Sequence, residues 1–294
     1  MAEDTTRPHH YHAEATILTG ELFHPLQQQI KPQTNAKLAE TGGYLSEHSE
    51  PYRLEGVISF DKAYTQVAGG EDPTKPGDHG WNTLATTVIE NLNVLDVITA
   101  DRVVGQIATV HPKVGYVPRV YFLGTRFEGL RVAGHPVTVH FPPYHPYHLG
   151  EKPPEGDRAY TQHEGFLGQV RSLFAGVRSA AGVPTDLLDL CKDDAVKKEG
   201  SGKTYKESLE CSLVSSVDLS GVPDYIRGFG HVLHIRDFGR VYLGLLRVEH
   251  SDFNDKGVPK TTLFDLTMLK FKLGCIGALN SSAGNTIING TSEP

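Results

Sequence analysis

The sequence predicts a mainly β protein, an antiparallel β-sandwich or barrel-like domain with a helical insertion. From Asn91 to Phe141, β-branched and aromatic residues alternate with polar ones between turn signals, as short half-buried strands require. The 31 glycines and 18 prolines among 294 residues supply turns in number. A strong helical period stands out after Thr161, between two strand-rich portions. With 38% hydrophobic and 21% charged residues, the composition is that of a soluble, loop-rich globular protein. The organisation expected is a flexible His-rich tail over 1–12, a single β-rich domain over 13–278 with the insertion at about 161–191, and a flexible polar tail over 279–294.

Taken in order, ATILTGELF from Ala15 is strand-like, and YRLEGVISFDKA from Tyr52 places Leu54, Gly56, Ile58 and Phe60 on one face. GGEDPTKPGDHG from Gly69 is a turn-rich surface loop. Val94 to Val110 reads as one long strand interrupted at Asp101, which a bend or bulge near Asp101 to Gly105 reconciles. LRV-AG-HPVTVHF is a hairpin turning at Ala133-Gly134, with Val137, Val139 and Phe141 on one face of its second arm. At Thr161, Thr-Gln-His-Glu has capping-box spacing, and Phe166, Val170, Leu173, Phe174 and Val177 form a helical stripe. Gly182 and Pro184 end that helix. Thr185 to Cys191 forms a second short one before a charged loop, and strands return at Leu209 to Val217, His231 to Val248 and Thr261 to Leu273.

Several function classes are disfavoured. A net charge of -7 with scattered Lys and Arg offers no basic stripe for a phosphate backbone, so no nucleic-acid partner is expected. No window reaches the roughly 18 apolar residues that span a bilayer. The first residues lack an apolar export segment, so the expected location is secreted or cell surface if a signal peptide was trimmed, and cytoplasmic otherwise. Cys191, Cys211 and Cys275 lack metal-type spacing. Partly buried thiols are favoured over a Cys191–Cys211 bridge. Gly200-Ser-Gly-Lys-Thr lacks both the first glycine and the preceding strand of a phosphate loop, and no G-x-S-x-G elbow occurs.

Two passages carry a resemblance. Glu90-Asn-Leu-Asn-Val-Leu-Asp with Thr99-Ala-Asp-Arg-Val and Phe127-Glu-Gly-Leu-Arg-Val-Ala-Gly-His-Pro-Val form the first. Phe238-Gly-Arg-Val-Tyr-Leu-Gly with Leu266-Thr-Met-Leu-Lys-Phe-Lys-Leu-Gly-Cys form the second. Together they cover about a quarter of the chain and resemble β-rich bacterial cell-surface proteins of the choice-of-anchor type. The resemblance implies an extracellular β-protein and carries over no functional residue. The chain departs from that pattern in lacking an export signal and a C-terminal hydrophobic anchor.

The densest chemistry is the run from His135 to His148. His140, His145 and His148, joined by His163, are candidate ligands for a divalent metal, zinc or iron, because neutral imidazole is a common metal ligand. Glu164 is the candidate catalytic base, with capping as its alternative role. An aromatic, proline-rich loop over a sheet edge is the competing explanation, since the spacing matches no established zinc motif. The leading functional expectation is a noncatalytic structural or binding β-protein, exported and self-associating or bound to a protein partner. The alternative is a metal-dependent enzyme or small-molecule binding protein built around 135–164.

Overall fold

The computed structural model describes residues 9–22, 28–71, 80–112, 116–141, 158–191, 196–274 and 280–292. The protein is mainly β, with two large antiparallel sheets and a short helical insertion, as the sequence predicts. The first sheet runs, strand by neighbouring strand, Val196–Glu199, Lys206–Ser212, Gly239–Phe253, Pro259–Leu273, Asn280–Ser292, His9–Ile17 and Thr34–Lys37. The second is built on Gly43–Ser49, Lys62–Glu71, Trp81–Val94 and Ile98–His111, with shorter strands along its edges. The sheets pack face to face. A Cβ added to Gly105 of the second would sit 2.8 Å from Met268 Cγ of the first, and one on Gly69 2.7 Å from the Tyr11 ring.

The described parts of the expected tails over 1–12 and 279–294 lie in strands. His9–Ile17 pairs with Asn280–Ser292 from His9↔Ser292 to Thr16↔Asn285, and the latter strand pairs on its other side with Pro259–Leu273. Asn280–Ser292 is thus an internal strand. Its small uncharged residues lack the alternation that marks a half-buried strand, so composition alone reads as a tail. Main-chain hydrogen bonding on both edges supplies what its side chains do not signal.

Val94 to Val110 is not one strand: Val94 ends the strand Trp81–Val94, a turn follows, and Ile98–His111 runs unbroken through Asp101. Trp81–Val94 and Ile98–His111 form a hairpin whose turn places Leu95 and Asp96 at φ 53° and 54°. Asn93 fixes it, its Oδ1 accepting from the Asp96 N–H at 2.8 Å and its Nδ2 donating to Asp96 Oδ1 at 2.6 Å. The Ala133-Gly134 hairpin forms as expected, with φ 49° and 80° at the two turn residues.

The interruption at Asp101 has a different cause from the bulge expected. Pairing across the hairpin keeps one register on both sides of the Asn91–Asp101 position, so no residue is inserted. Instead Asn91 takes φ 54°, and the buried face changes phase: Ile98 and Ala100 before it, Val103, Ile107 and Thr109 after it. The first sheet does the same. Gly244 takes φ 57°, and burial passes from Val241 and Leu243 to Leu246 and Val248. Its neighbour switches opposite it, from Phe264 and Leu266 to Leu269 and Phe271, with Met268 at the crossing. A left-handed residue within a strand resets which side its successors face.

The insertion comprises a 3-10 turn at Tyr160–Gln162, helix α1 at Glu164–Ser179 and helix α2 at Thr185–Leu190. Phe166, Leu167, Val170, Phe174 and Val177 of α1 are buried. The N-cap is His163 rather than Thr161: its Nδ1 accepts from the Phe166 N–H at 3.1 Å. Thr161 lies instead within the 3-10 turn, and its hydroxyl donates to Glu207 Oε2 at 2.6 Å. The charged loop expected after Cys191 contains a short strand, Val196–Glu199, and a 3-10 turn at Gly202–Thr204. Cys191 and Cys211 are buried thiols. Among the described residues no helix is long and apolar enough to cross a membrane.

Candidate ligand-binding cleft

A cross-strand row anchors the segment that begins the insertion. Glu207, His250 and Thr262 lie side by side on three neighbouring strands of the first sheet, and His250 is fully buried. His250 Nε2 accepts from the Tyr160 N–H at 2.9 Å, which leaves Nδ1 to carry the proton and donate to Thr262 Oγ1 at 3.0 Å. Burial holds this ring neutral, its pKa lowered to about 3. Beside it, the buried Glu207 carboxylate accepts from Thr161, Gln162 Nε2 at 3.3 Å and the Tyr205 hydroxyl at 2.7 Å, with Lys198 Nζ at 3.5 Å. Burial pushes the Glu207 carboxyl up, but these hydrogen bonds and the Lys198 charge together bring it below its ordinary value. Tyr160 completes the anchor, donating to the Pro118 carbonyl at 2.6 Å and packing edge-on against Phe264. Every polar atom of His250 and Glu207 is occupied in holding the chain, so this row positions rather than reacts.

The anchor sets α1 across the Ser212–Ser215 segment and leaves a cleft of about 530 Å³ between them. Glu164, Gly165, Gly168, Gln169, Ser172 and Leu173 form the helical wall, and Ser212, Leu213, Val214 and Ser215 the other. Gly165, Gly168 and Ser172 are small residues on one helical face, and a Cβ on Gly168 would meet nothing within 4 Å. The hydroxyls mostly serve the main chain: Ser212 donates to the Leu243 carbonyl at 2.8 Å, Ser172 to Gly168 at 2.9 Å and Ser215 to His140 at 2.9 Å. Gln169 differs. Its Oε1 is shielded from solvent and has no hydrogen-bond partner among the described residues. The cleft therefore offers an apolar wall and room, while the unanswered Gln169 Oε1 is turned away from water.

Of the residues singled out from sequence, three can be placed. His140 lies exposed on the Thr138–His140 strand, and its carbonyl accepts from both the N–H and the hydroxyl of Ser215, bringing that strand to the rim of the cleft. His163 spends Nδ1 on capping α1. Glu164 borders the cleft, exposed, with its Oε2 3.1 Å from Arg171 Nη1. His145 and His148 lie outside the described residues. Among the described residues no group of three or more His, Cys, Asp or Glu is disposed to hold a metal ion. Sequence reasoning missed Gln169, Gly168 and Ser215. The signal for the first two was Gly165 and Gly168 inside an otherwise well-formed helix, where glycine needs a local reason.

A family profile described as "Domain of unknown function (DUF8256)" matches residues 9–249. The chain belongs to the DUF8256 family. The DUF8256 match takes in both walls of the cleft, and Glu207 and His163 with them. No curated protein and no solved structure matches the chain.

Proposed function

We propose that the protein is a noncatalytic binding protein that holds a small molecule between α1 and the Ser212–Ser215 segment. The observation that carries this reading is the cleft of about 530 Å³ itself, walled by Leu173, Leu213 and Val214 and edged by Gln169 and Ser215. Such a volume lies in the range of small-molecule sites, which combine apolar walls with a few polar groups that fix orientation. The ligand that fits brings an apolar body to Leu173, Leu213 and Val214 and a polar group to the edge formed by Gln169 and Ser215.

The test uses benzamide and benzyl alcohol as probes in ligand-observed NMR with the full chain. Saturable binding in the native protein, lost in Gly168→Trp, is the expected result, because the indole enters open space at that position. Neither probe binding, or binding unaltered by Gly168→Trp, would sink the reading.

A further inference from the structure

Far from the cleft in sequence, four aromatic rings gather where the first strand meets the second sheet. Trp81 and His111 are cross-strand partners, and His9 lies against both. The His9 ring stacks on Trp81 at 4.7 Å with 6° between planes, and its centroid is 4.8 Å from that of His111. Tyr11 meets it edge-on at 4.7 Å. Three imidazole nitrogens here, both of His9 and Nε2 of His111, are shielded from solvent and have no partner among the described residues. Buried polar atoms are almost always satisfied, and each unprotonated imidazole carries a lone pair as well as an N–H.

We propose that His9 and His111 form a two-imidazole site for a divalent transition-metal ion. The ring separation suits this use. With metal–nitrogen bonds of about 2.0–2.1 Å, two imidazoles on one ion at ligand angles of about 90–110° have centroids about 4.5–5 Å apart, and the observed 4.8 Å falls between these limits. The described residues supply two ligands. Nitrogen ligands rank copper highest among the divalent first-row ions, which makes Cu(II) the probe.

Trp81 is the chain's one tryptophan and stacks on a proposed ligand, so its fluorescence reports this site. Metal-free full-length protein is titrated with copper(II) sulfate. The expected result is saturable quenching at one equivalent, with an apparent Kd at least tenfold weaker in His111→Gln. His9→Gln, altered at a less enclosed position, should show the same weakening if His111→Gln does not fold. A His10→Ala/His12→Ala double variant should bind as the native chain does, since these two imidazoles alternate away from Tyr11 and Ala13. The proposal is overturned if quenching is absent or unsaturable, if His9→Gln and a folded His111→Gln bind copper normally, or if the double variant alone abolishes binding.

Discussion

His163 shows how a single side chain takes on a task its sequence context assigns elsewhere. Its imidazole receives the Phe166 N–H, one of the orphan donors that every helix start exposes. Replacing it with alanine should cost about 1 kcal/mol of stability, read as a shift of the urea midpoint, while His163→Asp should retain the cap and favour the positive helix start. Equal midpoints for the alanine variant and the native chain would show that the cap contributes nothing. The capping box expected at Thr161 gives way because Tyr160–Gln162 forms a 3-10 turn and α1 starts beyond it, and that turn is tied to a strand far along the chain. Glu207, on a strand not yet formed when the local pattern is read, claims the Thr161 hydroxyl. Local spacing identifies candidates, and tertiary partners choose among them.

Strands were legible where alternation survives and obscure where the chain resets it. The single half-buried strand expected from Tyr52 to Ala63 is instead broken into a hairpin, Tyr52–Leu54 and Ile58–Phe60, because Glu55 and Gly56 take φ 38° and 73° and turn the chain. The turn at Leu95-Asp96 was not legible, because leucine rarely takes a left-handed conformation and gives no turn signal there. The amphipathic stripe of α1 was correct at Phe166, Val170, Phe174 and Val177, whereas Leu173 faces the cleft and Leu167 the core. The cleft itself was only hinted at by Gly165 and Gly168, since its opposite wall comes from a segment more than forty residues later. Gly239 gives the sharpest test at this scale. It begins the Gly239–Phe253 strand at φ 132°, and an added Cβ would lie 2.3 Å from the Lys272 carbonyl oxygen. Because that obstacle is backbone, Gly239→Ala should lose about 2–3 kcal/mol, measured by chemical denaturation; a loss below the error of the method would show that the hairpin relaxes freely.

For the molecule as a whole, buried imidazoles dominate the response to acid. Burial lowers His111 and His250 to about 3 and His231 to about 4, against an ordinary value of 6.5. Between those limits the unfolded chain binds the extra protons, so stability is fully present above 6.5 and is lost as pH falls. Each ring contributes up to about 1.4 kcal/mol per pH unit. Asp265 acts in the opposite sense: burial raises it to about 6 from 3.8, so its contribution is present at low pH and lost as pH rises through 6. From pH 6 down to about 4, three rings less one carboxyl leave a slope of about 3 kcal/mol per pH unit at most, and half-buried His9 adds less because water screens it. Urea midpoints measured from pH 7 to 4.5 should fall steadily, and a flat profile would mean that the rings are hydrated. The order of strands in the first sheet has a further consequence, for the time at which this protein can mature. Asn280–Ser292 separates His9–Ile17 from Pro259–Leu273, so during synthesis the earliest strand must wait for the latest before its long edge is covered. Until then that edge is exposed to other chains on the same messenger, and the emergence of Asn280–Ser292, rather than any local nucleation event, sets the moment at which the sheet becomes whole.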